Sequence, residues 1–316
     1  MPDIDISIVV PLYNEEENII QLYDSITEVM RGLDKSYEII FVDDGSSDET
    51  FERAKSIHEK DNNLKVIRFR RNYGQTPAMQ AGFEHAKGKI IVSMDGDMQN
   101  DPKDIPKFLE KIEEGYDIVC GWRKNRKDKL ISRKVPSKIA NWLIGRVTGV
   151  RIHDNGCSLK AYRSGVIKST KLYSEMHRFI PAIMSIAGTR YTEIVVNHHA
   201  RKFGTSKYGL SRIWKVFLDM FTIKMLLGFS SKHGAWFGLL SLPFLIMGSI
   251  FMLFSINLYL NPQIYDSFPI IFPSISILFF FIFAHLLLLG LLSEMILKTG
   301  SLKKKDIVGV SSVEVL

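Results

Sequence analysis

The sequence predicts an α/β fold: a mostly parallel, Rossmann-like sheet with helices on both faces, then an amphipathic helix and two C-terminal membrane-spanning helices. Three observations predict it. Between residues 6 and 196, short apolar runs alternate with helical patterns across short connections, as in parallel strands joined by crossover helices. Polar clusters follow several of those runs, and α/β sheets bind ligands beyond the carboxyl ends of their strands. From Ala235 onward come two apolar stretches, each long enough for a bilayer core, which takes about 20 residues.

The elements follow in order. Ile6–Leu12 reads as a buried strand, and Tyr13-Asn14-Glu15-Glu16-Glu17 opens a helix to about Gly32. Asn14 is expected to cap it, with the acidic residues in the first turn as the helix dipole prefers. Tyr37–Val42 is the second strand and ends at Asp43-Asp44-Gly45-Ser46; Ser47 or Asp48 caps the next helix, towards Lys60. Leu64–Phe69 is the third strand, and a helix over Thr76–Ala86 leads to the strand Ile90–Met94. A helix over Ile105–Glu114 precedes the strand Tyr116–Cys120. Val135–Thr148 and Phe179–Ala187 read as helices, Asp154–Lys160 as a turn into a short strand, and Tyr191–Val196 as a late strand.

The stretch that organises the rest is Ile90–Pro102. Its strand stops at Asp95-Gly96-Asp97. Residues two apart on an extended chain point the same way, so the two carboxylates can converge. Gly96 between them would let a ligand approach the backbone, and Gln99 can reach the same spot. Paired hard-oxygen donors suit a divalent cation that also holds phosphate oxygens. Taken alone, Asp-Gly-Asp reads first as a turn. Similar clusters after Pro11 and Val42, on the same sheet edge, weigh against three unrelated turns. The basic run Arg123–Lys134 follows a strand on that edge, where it could close over a diphosphate or touch anionic lipid; a solvated loop is the alternative. Further on, Arg201, Ser206 and Lys207 could surround a phosphate, with Gly204 giving the loop room.

Bulk properties bound the function. A formal net charge of +7 and a sequence pI near 9.2 suit anionic partners. Cys120 and Cys157 alone make no disulfide framework and fit a reducing compartment. The start of the chain shows no signal-peptide pattern. The first strand is followed by no Gly-rich dinucleotide fingerprint, and no Walker-type loop is present, which argues against a dehydrogenase or an ATPase. No nucleic-acid module is recognisable. His198 and His199 lack metal-site spacing. The helical spacing of Ile213, Val216, Phe217, Met220, Ile223 and Leu227 suits a helix lying on the bilayer or packed on the globular part. Lys224 and Lys232 precede the first span, Lys298 and Lys303–Lys305 follow the second, and Asn261–Pro269 between them has no Lys or Arg. The positive-inside rule then places both ends in the cytoplasm. His285 in mid-span is expected to make a polar contact to a neighbouring helix or subunit.

Together, PLYNEEENI from Pro11, FVDDGSSDET from Phe41, RNYGQTPAMQAG from Arg71, SMDGDMQNDP from Ser93, DNGCSLKAYR from Asp154 and RKFGTSKYGLSR from Arg201 resemble the family-2 glycosyltransferases with a GT-A fold. The closer likeness is to their polyprenyl-phosphate branch, which includes dolichol-phosphate mannose synthase, bactoprenol glucosyltransferase and the undecaprenyl-phosphate formamido-arabinose transferases. The resemblance spans Pro11–Arg212, and the two terminal spans match the bacterial branch. It implies a cytoplasmic catalytic domain over residues 1–208 and an interface-helix region over 209–232. Two spans (about 235–260 and 270–292) then lie within 233–297, and a cytoplasmic tail covers 298–316.

The resemblance also implies residue roles. Pro11, Tyr13, Glu15, Asp43 and Asp95 line the nucleotide site. Asp95 and Asp97 bind Mg²⁺ or Mn²⁺, with Gln99 as a further ligand. Arg123 helps with diphosphate and acceptor, and Asp154 is a base or acceptor-site organiser. Arg201, Ser206 and Lys207 take the lipid phosphate. Asn100 departs from the pattern, since many relatives carry Asp there. The implied reaction is inverting, metal-dependent transfer of one sugar from a nucleotide diphosphate sugar to polyprenyl (undecaprenyl) phosphate, at the cytoplasmic face of the inner membrane. UDP-glucose is the default donor. UDP-linked modified arabinose, UDP-N-acetylglucosamine, UDP-galactose and GDP-mannose stay open, as do a non-catalytic membrane adaptor and a homo-oligomer. A processive polysaccharide synthase is disfavoured, because no Gln-x-x-Arg-Trp motif is present.

Overall fold

The computed structural model describes residues 4–124, 145–146, 149–169, 172, 176–185, 188–200, 233–261, 270–299 and 313–315. The described residues fall into two compact units that divide near residue 224, and the C-terminal strand belongs to the first.

The first unit is built on one sheet. Its strands are β1 (Ile6–Leu12), β2 (Tyr37–Asp43), β3 (Leu64–Phe69), β4 (Ile90–Ser93), β5 (Ile118–Trp122), β6 (Lys160–Arg163), β7 (Tyr191–Val195) and β8 (Val313–Val315). They lie in the order β7-β5-β6-β4-β1-β2-β3-β8. The pairs β4/β1, β1/β2, β2/β3 and β5/β7 are parallel, whereas β6 runs antiparallel to β4 and β5, and β8 antiparallel to β3. The sheet is therefore mostly parallel, as the strand–helix alternation predicts, with two strands reversed. Strand β1 is central: Ile6, Ile8, Val9 and Val10 are wholly inaccessible to solvent, because helices cover both faces of a parallel sheet.

Helices α1 (Ile19–Arg31), α2 (Thr50–His58) and α4 (Ile105–Glu113) cover one face. Their Leu22, Ile26, Phe51, Phe108 and Ile112 join Ile8, Val10 and Phe41 in one core cluster. Helix α3 (Gln75–His85) packs on β1 and β2 from the other side. The short α5 (Ser164–Lys168) and α6 (Ile180–Ser185) follow β6.

Two expected caps are not observed. Helix α1 starts at Ile19 with Asn18 as N-cap, and no acidic residue lies in its first turn. Asn14 instead takes a positive φ of 53°, and its Oδ1 accepts from the Ser47 N–H at 2.9 Å. The side chain thus ties the β1 loop to the β2 loop. Helix α2 starts at Thr50 with Glu49 as N-cap, and Asp48 accepts from both the backbone and the hydroxyl of Thr50. The expected helix at Val135–Thr148 lies almost wholly outside the described residues, and the amphipathic stretch Leu210–Phe229 wholly outside them.

The β2 loop depends on Gly45. Its φ is +67°, and a Cβ there would stand 2.3 Å from the carbonyl carbon of Arg71. Gly45→Ala is expected to cost about 1–3 kcal/mol through overlap alone, with left-handed backbone strain in addition. Denaturation of the detergent-solubilised protein reads this out; an unchanged midpoint would show that the loop relaxes freely.

The second unit is a pair of helices, α7 (His233–Leu260) and α8 (Ile271–Thr299). Both are long and apolar enough to cross a membrane, with mean hydropathy of 2.2 and 2.7 over their spans. They meet through close contacts: the Ser276 hydroxyl donates to the Gly248 carbonyl at 2.8 Å, and Phe251 stacks on Phe272 and Phe279. Leu239, Leu253, Leu278 and Phe281 are more than half exposed, as suits helices surrounded by lipid. His285 is exposed as well and stacks on Phe281 of its own helix.

Candidate active site

The carboxyl ends of β4, β1 and β2 lie side by side, since β1 pairs with both neighbours in parallel register, Val9 opposite Ser93 and Leu12 opposite Asp43. The sheet therefore gathers the three polar clusters at one edge. The β1 and β2 loops are laced together there. The Asn14 N–H donates to Ser46 Oγ, the Glu15 N–H to Thr50 Oγ1, and the Glu49 N–H to Glu16 Oε2. Glu15 also accepts from the Asn18 side chain at 2.7 Å. Pro11 and Tyr13, at the end of β1 and just beyond it, flank this lacing.

Asp43 ends β2 and is inaccessible to solvent. Its Oδ1 accepts from the Ser46 N–H at 3.1 Å, and Oδ2 lies 3.7 Å from Arg68 Nε without a hydrogen-bond partner among the described residues. Burial raises its pKa, opposed by Ser46 and Arg68. Such an oxygen is an acceptor that a ligand N–H could satisfy. Next to it is Asp44, which the sequence reading did not single out. It accepts from the backbone N–H groups of Tyr73 and Gly74 at 2.7 and 2.8 Å, fixing the loop after β3. Burial pushes its pKa up to about 6 despite those bonds.

Beyond β4, Asp95 Oδ1 accepts from Gln75 Nε2 at 2.7 Å, and Gln75 is the first residue of α3. Asp97 is buried, and its Oδ1 accepts from the Gln99 N–H at 3.2 Å across Met98, which has a positive φ of 60°. Gln99 directs its side-chain amide to the His199 carbonyl at 3.4 Å and accepts the His199 N–H on its own carbonyl. Gly96 differs from expectation. A Cβ there would stand 2.5 Å from Leu12 Cδ2, so this glycine lets the loop pack on β1 rather than leaving space for a ligand.

Among the described residues, no group of three or more His, Cys, Asp or Glu side chains converges as a metal cage. The donor set at Asp95 and Asp97 still fits a hard divalent ion. Magnesium-type sites use one or two carboxylates and fill the remaining shell with phosphate oxygens and water.

Arg123 and Asp154, 31 residues apart, form a buried two-pronged ion pair: Nε to Oδ2 at 2.7 Å and Nη2 to Oδ1 at 2.9 Å. Burial opposes the charge on Arg123, but the Asp154 carboxylate more than offsets it and raises the guanidinium pKa. Trp122, just before Arg123, stacks on His153, just before Asp154, at 4.3 Å. A cavity beside Asp95 is lined by Gln75, Asn155, Ser158, Lys160 and Arg178, among others. Lys160 and His177, which line it, and Thr76, whose hydroxyl lies 2.7 Å from His177 Nδ1, were not anticipated. The available signal was a lysine heading the short strand β6, just before Ala161 and Tyr162. Cys120 and Cys157 are buried free thiols whose pKa values burial pushes up to about 12 and 11, so they are unreactive. Arg201, Ser206 and Lys207, and the basic run beyond Lys124, lie outside the described residues.

Residues 7–170 match the family model described as Glycosyl transferase family 2. The chain is 42% identical over 309 residues to a dodecaprenyl-phosphate galacturonate synthase of Rhizobium johnstonii, covering 94% of this chain and 88% of the relative. It is 37% identical over 294 residues to an undecaprenyl-phosphate 4-deoxy-4-formamido-L-arabinose transferase of Yersinia pestis, covering 92% and 88%. Among solved structures, it resembles glucosyl-3-phosphoglycerate synthase of Mycobacterium tuberculosis, solved with Mn²⁺, UDP and glucosyl-3-phosphoglycerate. The TM-score is 0.54 and the identity 18%, over 70% of this chain and 78% of that one. That likeness is one of fold.

Proposed function

The chain belongs to glycosyl transferase family 2, and from that premise we propose that it transfers one sugar from a nucleotide diphosphate sugar to polyprenyl phosphate at a membrane surface. The observation that carries this reading is a single chain with both a carboxylate-lined sheet edge and two helices able to span a bilayer. Such a chain brings a soluble donor and an insoluble acceptor to one surface. The near-full-length likeness to two polyprenyl-phosphate sugar enzymes supports it.

Pro11, Tyr13, Glu15 and Asp43 hold the nucleoside end, with the buried Oδ2 of Asp43 as an acceptor for a base N–H. Asp95 and Asp97, with Gln99, would hold Mg²⁺ or Mn²⁺, and the bound ion would supply positive charge against the departing diphosphate. Arg201, Ser206 and Lys207 bind the lipid phosphate, one oxygen of which attacks the anomeric carbon from the face opposite the leaving group and inverts it. A phosphate monoester is largely dianionic near neutral pH, since its second pKa is about 6. The site therefore works by positioning and charge rather than by a strong base. Asp154 suits this: with both oxygens on Arg123 it organises the site instead of abstracting a proton. The proposed parts are a catalytic domain over residues 1–208, an interface region over 209–232 and a membrane hairpin over 233–297, with both chain ends in the cytoplasm.

UDP-glucose is the donor expected from sequence. UDP-galacturonate, suggested by the Rhizobium relative's name, differs from it at C4 and in the oxidation of C6. The test is a transfer assay with purified protein, undecaprenyl phosphate, Mg²⁺ or Mn²⁺ and labelled nucleotide sugars. A chloroform-soluble, mild-acid-labile product from one donor is expected. No product from any donor, with nucleotide binding intact, would overturn the catalytic reading in favour of an adaptor.

A further inference from the structure

Lys160 is the first residue of β6, opposite Ser93 of β4 on one side and Cys120 of β5 on the other. That register sets it two residues from the level of Asp95. The side chain is buried, and its Nζ donates to the carbonyls of Asn155 and His177 at 3.2 and 3.3 Å. Among the described residues no carboxylate lies within ion-pairing distance of it. The closest candidate, Asp154, has both oxygens on Arg123. An ammonium has three donors; two are used on neutral carbonyls, one is left at the cavity wall, and no carboxylate among the described residues pairs with the group directly. A buried cation without a counter-charge is costly, and such a group is retained where a ligand supplies the missing charge.

We propose that Lys160 reads the C6 carboxylate of a hexuronic acid donor, and so selects a nucleotide-linked uronate over the corresponding neutral hexose. This rests on the sugar-transfer reading above and names its donor class. The cavity favours a sugar carboxylate over a phosphate on two grounds. Its wall presents Gln75, Asn155 and Ser158, neutral partners suited to ring hydroxyls. One ammonium with one remaining donor direction matches a monoanion better than a dianion. Arg178 lines the cavity too and adds to its positive potential. Burial lowers the pKa of Lys160, and a bound carboxylate acts in the opposite sense.

The test uses the full-length protein with UDP-galacturonate, UDP-glucuronate, UDP-galactose and UDP-glucose, and the variants Lys160→Met and Lys160→Arg. Wild type is expected to prefer one uronate over its neutral counterpart by about ten-thousandfold in kcat/KM, the scale on which a site built for a polar group rejects the analogue lacking it. Lys160→Met should remove most of that preference while changing neutral-donor turnover less, and Lys160→Arg should restore part of it. Equal use of uronate and neutral donors by wild type would overturn the assignment. So would an equal loss on every donor in Lys160→Met, which would place Lys160 on a phosphate. Calorimetric binding of UDP-galacturonate against UDP-galactose separates the two readings: uronate-selective binding without transfer sinks the catalytic reading alone, and non-selective binding sinks this one. Should Lys160→Met fail to fold, the wild-type donor ratio and Lys160→Arg still decide.

Discussion

Asp97→Ala is expected to lower sugar transfer by about a hundredfold to a thousandfold, the scale lost when one preorganised electrostatic stabiliser is removed. The expectation follows from what Asp97 offers. It is buried at 6% exposure at the edge where β4 gives way to its loop, two residues after Asp95. One of its oxygens is used locally, on the Gln99 N–H. Alanine removes the charge and that bond together, so a loss could reflect a collapsed loop. Asp97→Asn separates the two. The amide oxygen can still accept from Gln99 and hold the turn across Met98, while the negative charge is gone. If the charge holds a divalent ion against the diphosphate, Asn is nearly as inactive as Ala, and the affinity for UDP ceases to depend on added Mg²⁺ or Mn²⁺. An Asp97→Asn enzyme that keeps most of its metal-dependent turnover would remove Asp97 from the metal site.

Much of this site was legible because its parts are local. The strands β1 to β4 each announce themselves as an apolar run closed by a polar cluster, and Ile6–Leu12 and Leu64–Phe69 coincide with their expected bounds. A parallel sheet then brings their ends together without further information. The misreadings have one physical cause, contacts between residues distant in sequence. Asn14 has the chemistry of a helix cap, but Ser47, 33 residues on, takes its side chain. The reversal of β6 is invisible to periodicity, since a short strand inserted between β4 and β5 looks the same in either direction. Asp44 stood in the polar cluster after β2 with no role of its own, whereas its two oxygens hold the loop at Tyr73 and Gly74. Gly96 read as ligand space, because nothing in the sequence says that Leu12 packs on it. Arg123 and Asp154 were each conspicuous as charges, and only the fold shows that they satisfy each other.

That pairing leads to the second large effect. Arg123→Leu is expected to destabilise the first unit by about 3–5 kcal/mol, the cost of leaving one member of a buried ion pair without its partner. The side chains are only 11% and 5% exposed, so water can do little to screen what remains. Asp154→Leu should be destabilising on the same grounds, with Arg123 left uncompensated. The two losses should not add. Once either charge is gone, removing the other relieves a buried, unpaired group, so the double Leu variant should be more stable than either single one. A double-mutant cycle read by denaturation measures that coupling, and additive losses would show that the pair contributes through packing alone. Activity should follow a different rule. If Arg123 and Asp154 together organise the acceptor side of the site, the double variant regains stability but not transfer. Recovery of turnover along with stability would make the pair a structural brace, and the role of organiser would pass to other residues of the edge.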